Sequence, residues 1–467
     1  MHNIDLSLLT DTELLNLEYH LKSPPTVQDF LHKKMDLSYL KKLNCGMAAN
    51  GELFSNDRQS FLSSIMSNFM DWRKAAKNKA IDLKKEIELM EKELSIRNKN
   101  KIMYENLSTD DLKRKIAETK KLAAKLETKQ MAYKIAANSG YGSIGQVNFR
   151  HYDVRQAEAI TISGQLAIQW VEKYVNEYFN KICKTSGVDY IEYLDTDSLY
   201  ISASRIVDSI FGPIADPIKA TNTLDKISKE VIQPFMDKCY KELAEYMNCY
   251  TNKMVMKREN ICSKGIWVAK KRYCLNVIDS EGVRYAEPKL KIMGIEVQRS
   301  STPNICREAL KKCIKIMLTG TENELINYVT EFKNDFMTRP YIDIASPRGV
   351  NDLEKYTDAK EIFSKGTPIA VKGALIYNNL IESNKLQSRY QKIDSGDKIK
   401  FIYLKVPNPT KSHVISFVKD IPEEFKLQRY IDKETQYEKT FLDPLNGLLN
   451  TINWNYETRN SVSDFFE

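Results

Sequence analysis

The sequence predicts an α+β fold with antiparallel sheet, on two observations. Residues 57–104 contain neither proline nor glycine and repeat apolar side chains at helical spacing, while alternating strand patterns recur at residues 190–202 and 267–277 with helical segments between them. Strands placed this way, without regular strand–helix–strand repetition, pair as antiparallel neighbours rather than in a parallel sheet. At about 150 residues per domain, a chain of 467 residues allows roughly three units, each able to bury a core. A 42% hydrophobic, 28% charged composition with only 17 glycines and 14 prolines excludes fibrous and mainly disordered classes.

The elements follow in chain order. Residues 1–56 are mixed: Pro24-Pro25 breaks the chain, and the stretch from Cys45-Gly46 to Asn50-Gly51 reads as turns between short strands. A long helix comes next. Its segment from Lys84 to Leu94 sets acid and base four residues apart, which supports an isolated helix. Residues 106–109 interrupt it, and Ser108 followed by Asp111 has the form of a capping box opening a second helix that runs to about Ser139. Two long helices with so short a connection form an antiparallel hairpin. Beyond Gly142 come a helix at about residues 157–183 and the two strand regions. From about Glu296 helices predominate again, interrupted by strand-like pieces at residues 369–377 and 398–406.

The formal net charge is +8, and residues 70–134 hold 18 basic against 11 acidic side chains, so nearly all of the surplus lies in the helical hairpin. That fits a surface that meets a polyanion, and equally a solvated, ion-paired helical face. The eight cysteines form no Cys-x-x-Cys pair and there are five histidines, which speaks against a zinc site and for reduced thiols. No apolar run approaches the roughly 20 residues that span a bilayer, and no charged-then-apolar signal follows Met1, so a soluble, cytoplasmic protein is expected.

Four segments carry chemistry. In the run from Ile191 to Ile201, Asp195 and Asp197 are two apart, which in a strand or hairpin sets them about 7 Å apart on one face. Paired carboxylates suit hard divalent cations and a two-metal phosphoryl-transfer site, although Asp-Thr-Asp also makes an ordinary turn. At the end of the second helix Lys134, Asn138 and Tyr141 share one helical face beside Gly140 and Gly142. A cation, an amide and an aromatic suit a nucleotide, and a glycine-terminated helix end is the plain alternative. In the first helix Arg73 and Lys77 share a face, and antiparallel packing brings them near Lys134, where three cations would clamp a triphosphate. In Lys270-Lys271-Arg272-Tyr273, Lys271 and Tyr273 fall on one side of a strand, fitting either nucleic-acid contact or an exposed basic edge.

Taken in order, Lys-x-x-x-Asn-Ser-x-Tyr-Gly, Asp-Thr-Asp-Ser and Lys-Lys-Arg-Tyr resemble the family B DNA polymerases, and the wider text resembles those of T-even-type bacteriophages. Supporting runs are Tyr152 to Arg155, Ala159 to Ile162, Lys291 to Gly294 and Ser300 to Pro303. The resemblance implies a right-hand architecture: an incomplete N-terminal part of the palm at residues 1–56, helical-hairpin fingers at 57–142, palm at 143–295 and a mainly helical thumb at 296–467. It implies that Asp195 and Asp197 hold two Mg²⁺ ions, with Asp197 the direct ligand and Glu259 an accessory palm carboxylate. It further implies that Arg73, Lys77 and Lys134 bind the dNTP triphosphate, that Asn138 and Tyr141 line the base-pair pocket, and that Lys270, Lys271, Arg272 and Tyr273 hold primer-template DNA. Gly140 stands where the phage enzymes usually carry a larger apolar residue.

The family's first palm motif, Asp-x-x-Ser-Leu-Tyr-Pro, is absent; the segments from Asp5 to Leu9 and from Asp36 to Tyr39 are echoes with the wrong spacing. The resemblance therefore implies the C-terminal half of a split polymerase, whose N-terminal partner supplies the exonuclease and the other catalytic aspartate. The final residues, with Phe465 and Phe466, resemble a tail that docks a sliding clamp, or pack as a frayed terminus. A catalytically inactive DNA-binding relic is the alternative function.

Overall fold

A computed structural model describes residues 6–96, 107–212, 216–358 and 361–457. The chain divides into two compact units, residues 1–262 with 277–289 and residues 263–276 with 290–467. The fold is α+β as the sequence predicts, with small antiparallel sheets in a largely helical framework.

In the first unit, α1 (Asp11–Lys22) and α2 (Val27–Leu31) each open on a capping box, Thr10 with Glu13 and Thr26 with Asp29. With α3 (Tyr39–Lys42) they cover α6 (Val154–Ile182) and α9 (Gln233–Tyr246). Phe30, Tyr39 and Leu40 of these short helices join Trp170, Val171 and Phe179 of α6 and Tyr240 of α9 in one core, and Trp170 donates its indole N–H to the Cys239 carbonyl at 3.0 Å. The expected turns sit between β1 (Cys45–Met47) and β2 (Leu53–Ser55), paired Cys45 to Ser55.

Helices α4 (Phe61–Ile96) and α5 (Thr109–Ile144) make the antiparallel hairpin. Ser108 caps α5 as expected: its hydroxyl oxygen accepts from the Asp111 N–H at 3.0 Å. Ile87, Met90, Leu112, Ile116 and Ala123 form the seam, and Lys84–Glu127 and Lys115–Glu86 bridge it at 2.9 and 3.2 Å. Helix α5 does not stop near Ser139. It continues through Gly140 and Gly142 to Ile144, and Met66 of α4 packs where Gly140 lacks a side chain: a Cβ there would lie 2.5 Å from the Met66 sulfur. After α6 come the hairpin strands β3 (Ile191–Asp195) and β4 (Ser198–Ile201), then α7 (Ser204–Phe211) and α8 (Pro217–Ile227), which leads through a π-helical turn into α9.

Strands β5 (Asn260–Ala269), β6 (Arg272–Ser280) and β7 (Val283–Met293) follow in that order in one sheet and pass from one unit into the other. The second unit contains α10 (Asn304–Thr319), α11 (Glu322–Thr338), α12 (Tyr341–Ile344), β8 (Ser346–Gly349), α13 (Leu353–Tyr356), β9 (Thr357–Asp358) and β10 (Ile362–Phe363). It closes with α14 (Ile369–Ser383), β11 (Lys398–Tyr403), β12 (Val414–Phe417), α15 (Lys433–Tyr437) and α16 (Asp443–Ile452). The strand expected at residues 398–406 is β11, the centre of a sheet ordered β12-β11-β8. The strand expected at 369–377 is instead the first half of α14. Its first half buries Ala370, Val371, Ala374, Leu375, Ile376 and Tyr377 with Lys372 the one polar residue among them, so the polar face that makes a helix readable appears only from Asn378 onward.

No helix among the described residues is long and apolar enough to cross a membrane. Phe465 and Phe466 lie outside the described residues.

Candidate active site

The Asp-Thr-Asp segment is the two-residue turn between β3 and β4. Asp195 ends β3 opposite Ser198, and Thr196 takes a left-handed conformation with φ of 55°. The Asp197 N–H donates back to the Asp195 carbonyl at 2.6 Å, the Thr196 hydroxyl donates to the Asp195 carboxylate at 3.0 Å, and the Ser198 hydroxyl donates to the Asp195 carbonyl at 3.2 Å. Turn geometry, rather than strand alternation, therefore sets the two aspartates near one another. Asp195 is half-buried and Asp197 exposed. The Tyr240 hydroxyl of α9 is pushed up to about 12, chiefly by burial, then by Cys239 and by the negative charge of Asp197.

Carboxylate oxygens are the donors Mg²⁺ prefers, and one or two of them with substrate phosphates make its usual coordination. The aspartate pair fits that chemistry. Among the described residues no group of three or more His, Cys, Asp or Glu could hold a metal ion, so Glu259 is not gathered with the pair into such a cluster.

On the hairpin, Lys134 and Asn138 are exposed, as is Tyr141 at 42%, one helical face presenting a cation, an amide and a ring. Their register against α4 is set by aromatic packing: Tyr133 meets Phe69 and Trp72 with ring centroids 6.4 and 5.7 Å apart. Arg73, one residue beyond Trp72, donates to the side-chain carbonyl of Gln130 at 3.4 Å, one turn from Lys134. Gln130 in turn donates to Glu127 at 2.7 Å, and Lys84 bonds the same carboxylate. Burial pushes the Glu127 carboxyl up, but its bonds to Lys84 and Gln130 and the charges of Lys84 and Lys77 bring it below the usual range. Lys77 makes an ion pair with Glu281, at the turn between β6 and β7. Arg73 thus meets the turn that carries Lys134, whereas Lys77 is held by a carboxylate the sequence did not single out. The Ser280-Glu281-Gly282 turn was readable, but nothing local to it marks a partner so far away in the chain.

Glu259 is exposed at the mouth of β5. Its carbonyl accepts from the Glu281 N–H at 2.6 Å, so the β6–β7 turn rests against it. The preceding residue, Arg258, bridges Asp225 of α8 and Asp279 of β6 in a largely buried pairing, and Arg284 of β7 adds a bond to Asp279 at 3.0 Å.

In the second unit, Lys270 and Lys271 form the turn between β5 and β6 and are exposed. Lys271 has φ of 62°, so it does not share a strand face with Tyr273, and Tyr273 is 7% exposed. Arg272 donates to both carboxylate oxygens of Glu296, at 2.9 and 2.7 Å. Gly294, with φ of 66°, holds the turn: a Cβ there would stand 2.1 Å from the Lys271 carbonyl oxygen.

A basic helical hairpin and an aspartate-bearing β turn in an α+β frame are the parts that the sequence's resemblance to family B DNA polymerases implies. Residues 109–452, from α5 to the end of α16, match the family model described as DNA polymerase family B, and the chain belongs to that family. It is 36% identical to the DNA-directed DNA polymerase of Escherichia phage RB69 over 452 residues, covering 90% of this chain and 49% of that protein. It is 36% identical to the DNA-directed DNA polymerase of Enterobacteria phage T4 over 367 residues, covering 75% and 40%. A DNA polymerase of Pyrococcus glycovorans shares 29% identity over 225 residues, covering 47% and 24%. The chain spans about half the length, or less, of these relatives.

Proposed function

We propose that the chain supplies the fingers (57–142), palm and thumb (296–467) of a template-directed DNA polymerase that adds dNTPs to a primer 3′-hydroxyl. The observation that carries this reading is the presence, on one chain of this family, of the exposed Lys134–Asn138–Tyr141 face and the Asp195–Asp197 turn. Lys134, Arg73 and Lys77 meet the triphosphate through charge-assisted hydrogen bonds, which orient it as well as neutralise it. Asn138 and Tyr141 flank the nascent base pair, the ring offering a stacking surface. Asp195 and Asp197 would hold Mg²⁺, which when bound stabilises the attacking and departing oxygens of the transferred phosphoryl group. Glu259 is an accessory palm carboxylate. The exposed lysines of the Lys270-Lys271 turn touch DNA phosphates, while Arg272 and Tyr273, respectively paired and buried, hold that turn in shape.

A partner polypeptide corresponding to the N-terminal half of the phage polymerases supplies the exonuclease and the other palm aspartate, and the tail with Phe465 and Phe466 docks a sliding clamp. Primer extension with Mg²⁺ tests the reading, on the chain alone and then with that half added. Extension by the pair, lost in Asp197→Asn, is expected. A pair that binds primer-template without extending it would identify an inactive DNA-binding relic instead.

A further inference from the structure

Glu281 belongs to no motif, yet it engages one of the three cations assigned to the triphosphate. Its side chain pairs with Lys77 of α4, and its backbone N–H is fixed on the Glu259 carbonyl at 2.6 Å. Two further contacts join the same hairpin to the same helix. The Lys85 side chain lies over Gly282, where a Cβ would stand 3.3 Å from it, and Lys289 of β7 pairs with Glu88 at 2.7 Å. Lys77 and Glu88 are about three turns apart on one helical face, with Lys85 beside that line. The β6–β7 hairpin is thus strapped along α4 by two ion pairs and a packing contact, all within the first unit.

We propose that Glu281 is a built-in occupant of the triphosphate clamp, holding Lys77 until an incoming polyphosphate displaces it. The inference rests on the polymerase reading above. A carboxylate brings one negative charge to Lys77, whereas a triphosphate brings several charges and also reaches Arg73 and Lys134, so exchange favours the polyphosphate. The Lys77–Glu281 pair is partly exposed, with side chains 38% and 27% accessible, which keeps it displaceable rather than permanent. Freed of Lys77, the hairpin keeps the Lys85 packing contact and the Lys289–Glu88 pair with α4.

Isothermal titration of the full chain with sodium tripolyphosphate tests this. Glu281→Gln, which keeps the side-chain shape, should tighten binding about two- to fivefold, the value of removing one partly exposed competing ion pair. The gain should vanish in the Lys77→Ala background, and tripolyphosphate should speed hydrogen exchange of the Glu281 amide in the unaltered chain. If Lys77→Ala weakens binding while Glu281→Gln leaves it unchanged, the clamp stands and the role of Glu281 is refuted. If Lys77→Ala, Arg73→Ala and Lys134→Ala all bind as the unaltered chain does, the clamp itself is wrong and the proposal falls with it.

Discussion

Replacing Arg258 with methionine should destabilise the first unit by about 2–3 kcal/mol, less than the 3–5 kcal/mol expected when a buried charge loses its sole partner. The reduction follows from what remains. Arg258 bridges Asp225 and Asp279, and the Asp279 side chain is 1% exposed. Without the guanidinium, Asp279 still accepts from Arg284 at 3.0 Å and from the Gly282 N–H at 2.9 Å, and Asp225 keeps Lys229 at 2.7 Å. Methionine fills the channel of the arginine stem, so the loss reads out charge rather than cavity. Because the chain has two units, native-state hydrogen exchange at β6 amides 277–280 is a sounder measure than one global melting curve. The pH dependence has a definite sign. Burial raises the Asp225 carboxyl, but Lys229 and Arg258 lower it more, leaving it below the usual aspartate range. Its contribution is therefore present above the ordinary aspartate pKa and disappears as pH falls through the depressed folded value, and Arg258→Met should flatten that slope. A loss under 1 kcal/mol with an unchanged acid slope would refute the reasoning.

Three further outcomes are expected. Gly294→Ala should cost the second unit about 2–4 kcal/mol by combining a left-handed backbone with a clash on the Lys271 carbonyl, seen as a lower urea midpoint from the Trp267 and Trp454 fluorescence. Ser108→Ala should remove about 1 kcal/mol from the start of α5, faster exchange of the Asp111 amide being the measurement. Lys134→Ala should weaken tripolyphosphate binding about tenfold, the value of one charge-assisted hydrogen bond, with little change in circular dichroism because the side chain is exposed.

The hairpin was legible because α4 and α5 keep one period over 36 residues each and Ser108 announces the second start. What escaped reading was tertiary. Gly140 and Gly142 look like a helix end, yet α5 runs on to Ile144, with Met66 packed at Gly140. In α14 the first two turns are almost wholly apolar and buried, so the period does not show there, and the apolar run after Pro368 reads as a strand. At Lys270-Lys271 the chain turns without glycine or asparagine, so alternation was carried through a position whose backbone is left-handed. The Asp195–Asp197 hairpin was legible in place but not in form: its four consecutive residues make a turn rather than one strand face.

The charge surplus of the hairpin allowed two readings, an ion-paired helical face or a surface for a polyanion, and its ion pairs divide the hairpin into two stretches. Away from the ends that join α4 and α5 to the rest of the unit, Lys84 with Glu127, Lys115 with Glu86 and Lys120 with Glu91 cross the seam as a ladder. Cations engaged this way are matched to carboxylates of their own hairpin and have little left for a distant polyanion. Nearer the joined ends, Arg73 leans on a neutral amide, Lys77 on a carboxylate from another element, and Lys134 makes no ion pair among the described residues. Net charge over residues 70–134 cannot separate these stretches, because it counts every lysine equally. The distinction lies in what holds each cation, and an anion carrying several charges would gain most where that hold is a neutral amide or an exchangeable carboxylate.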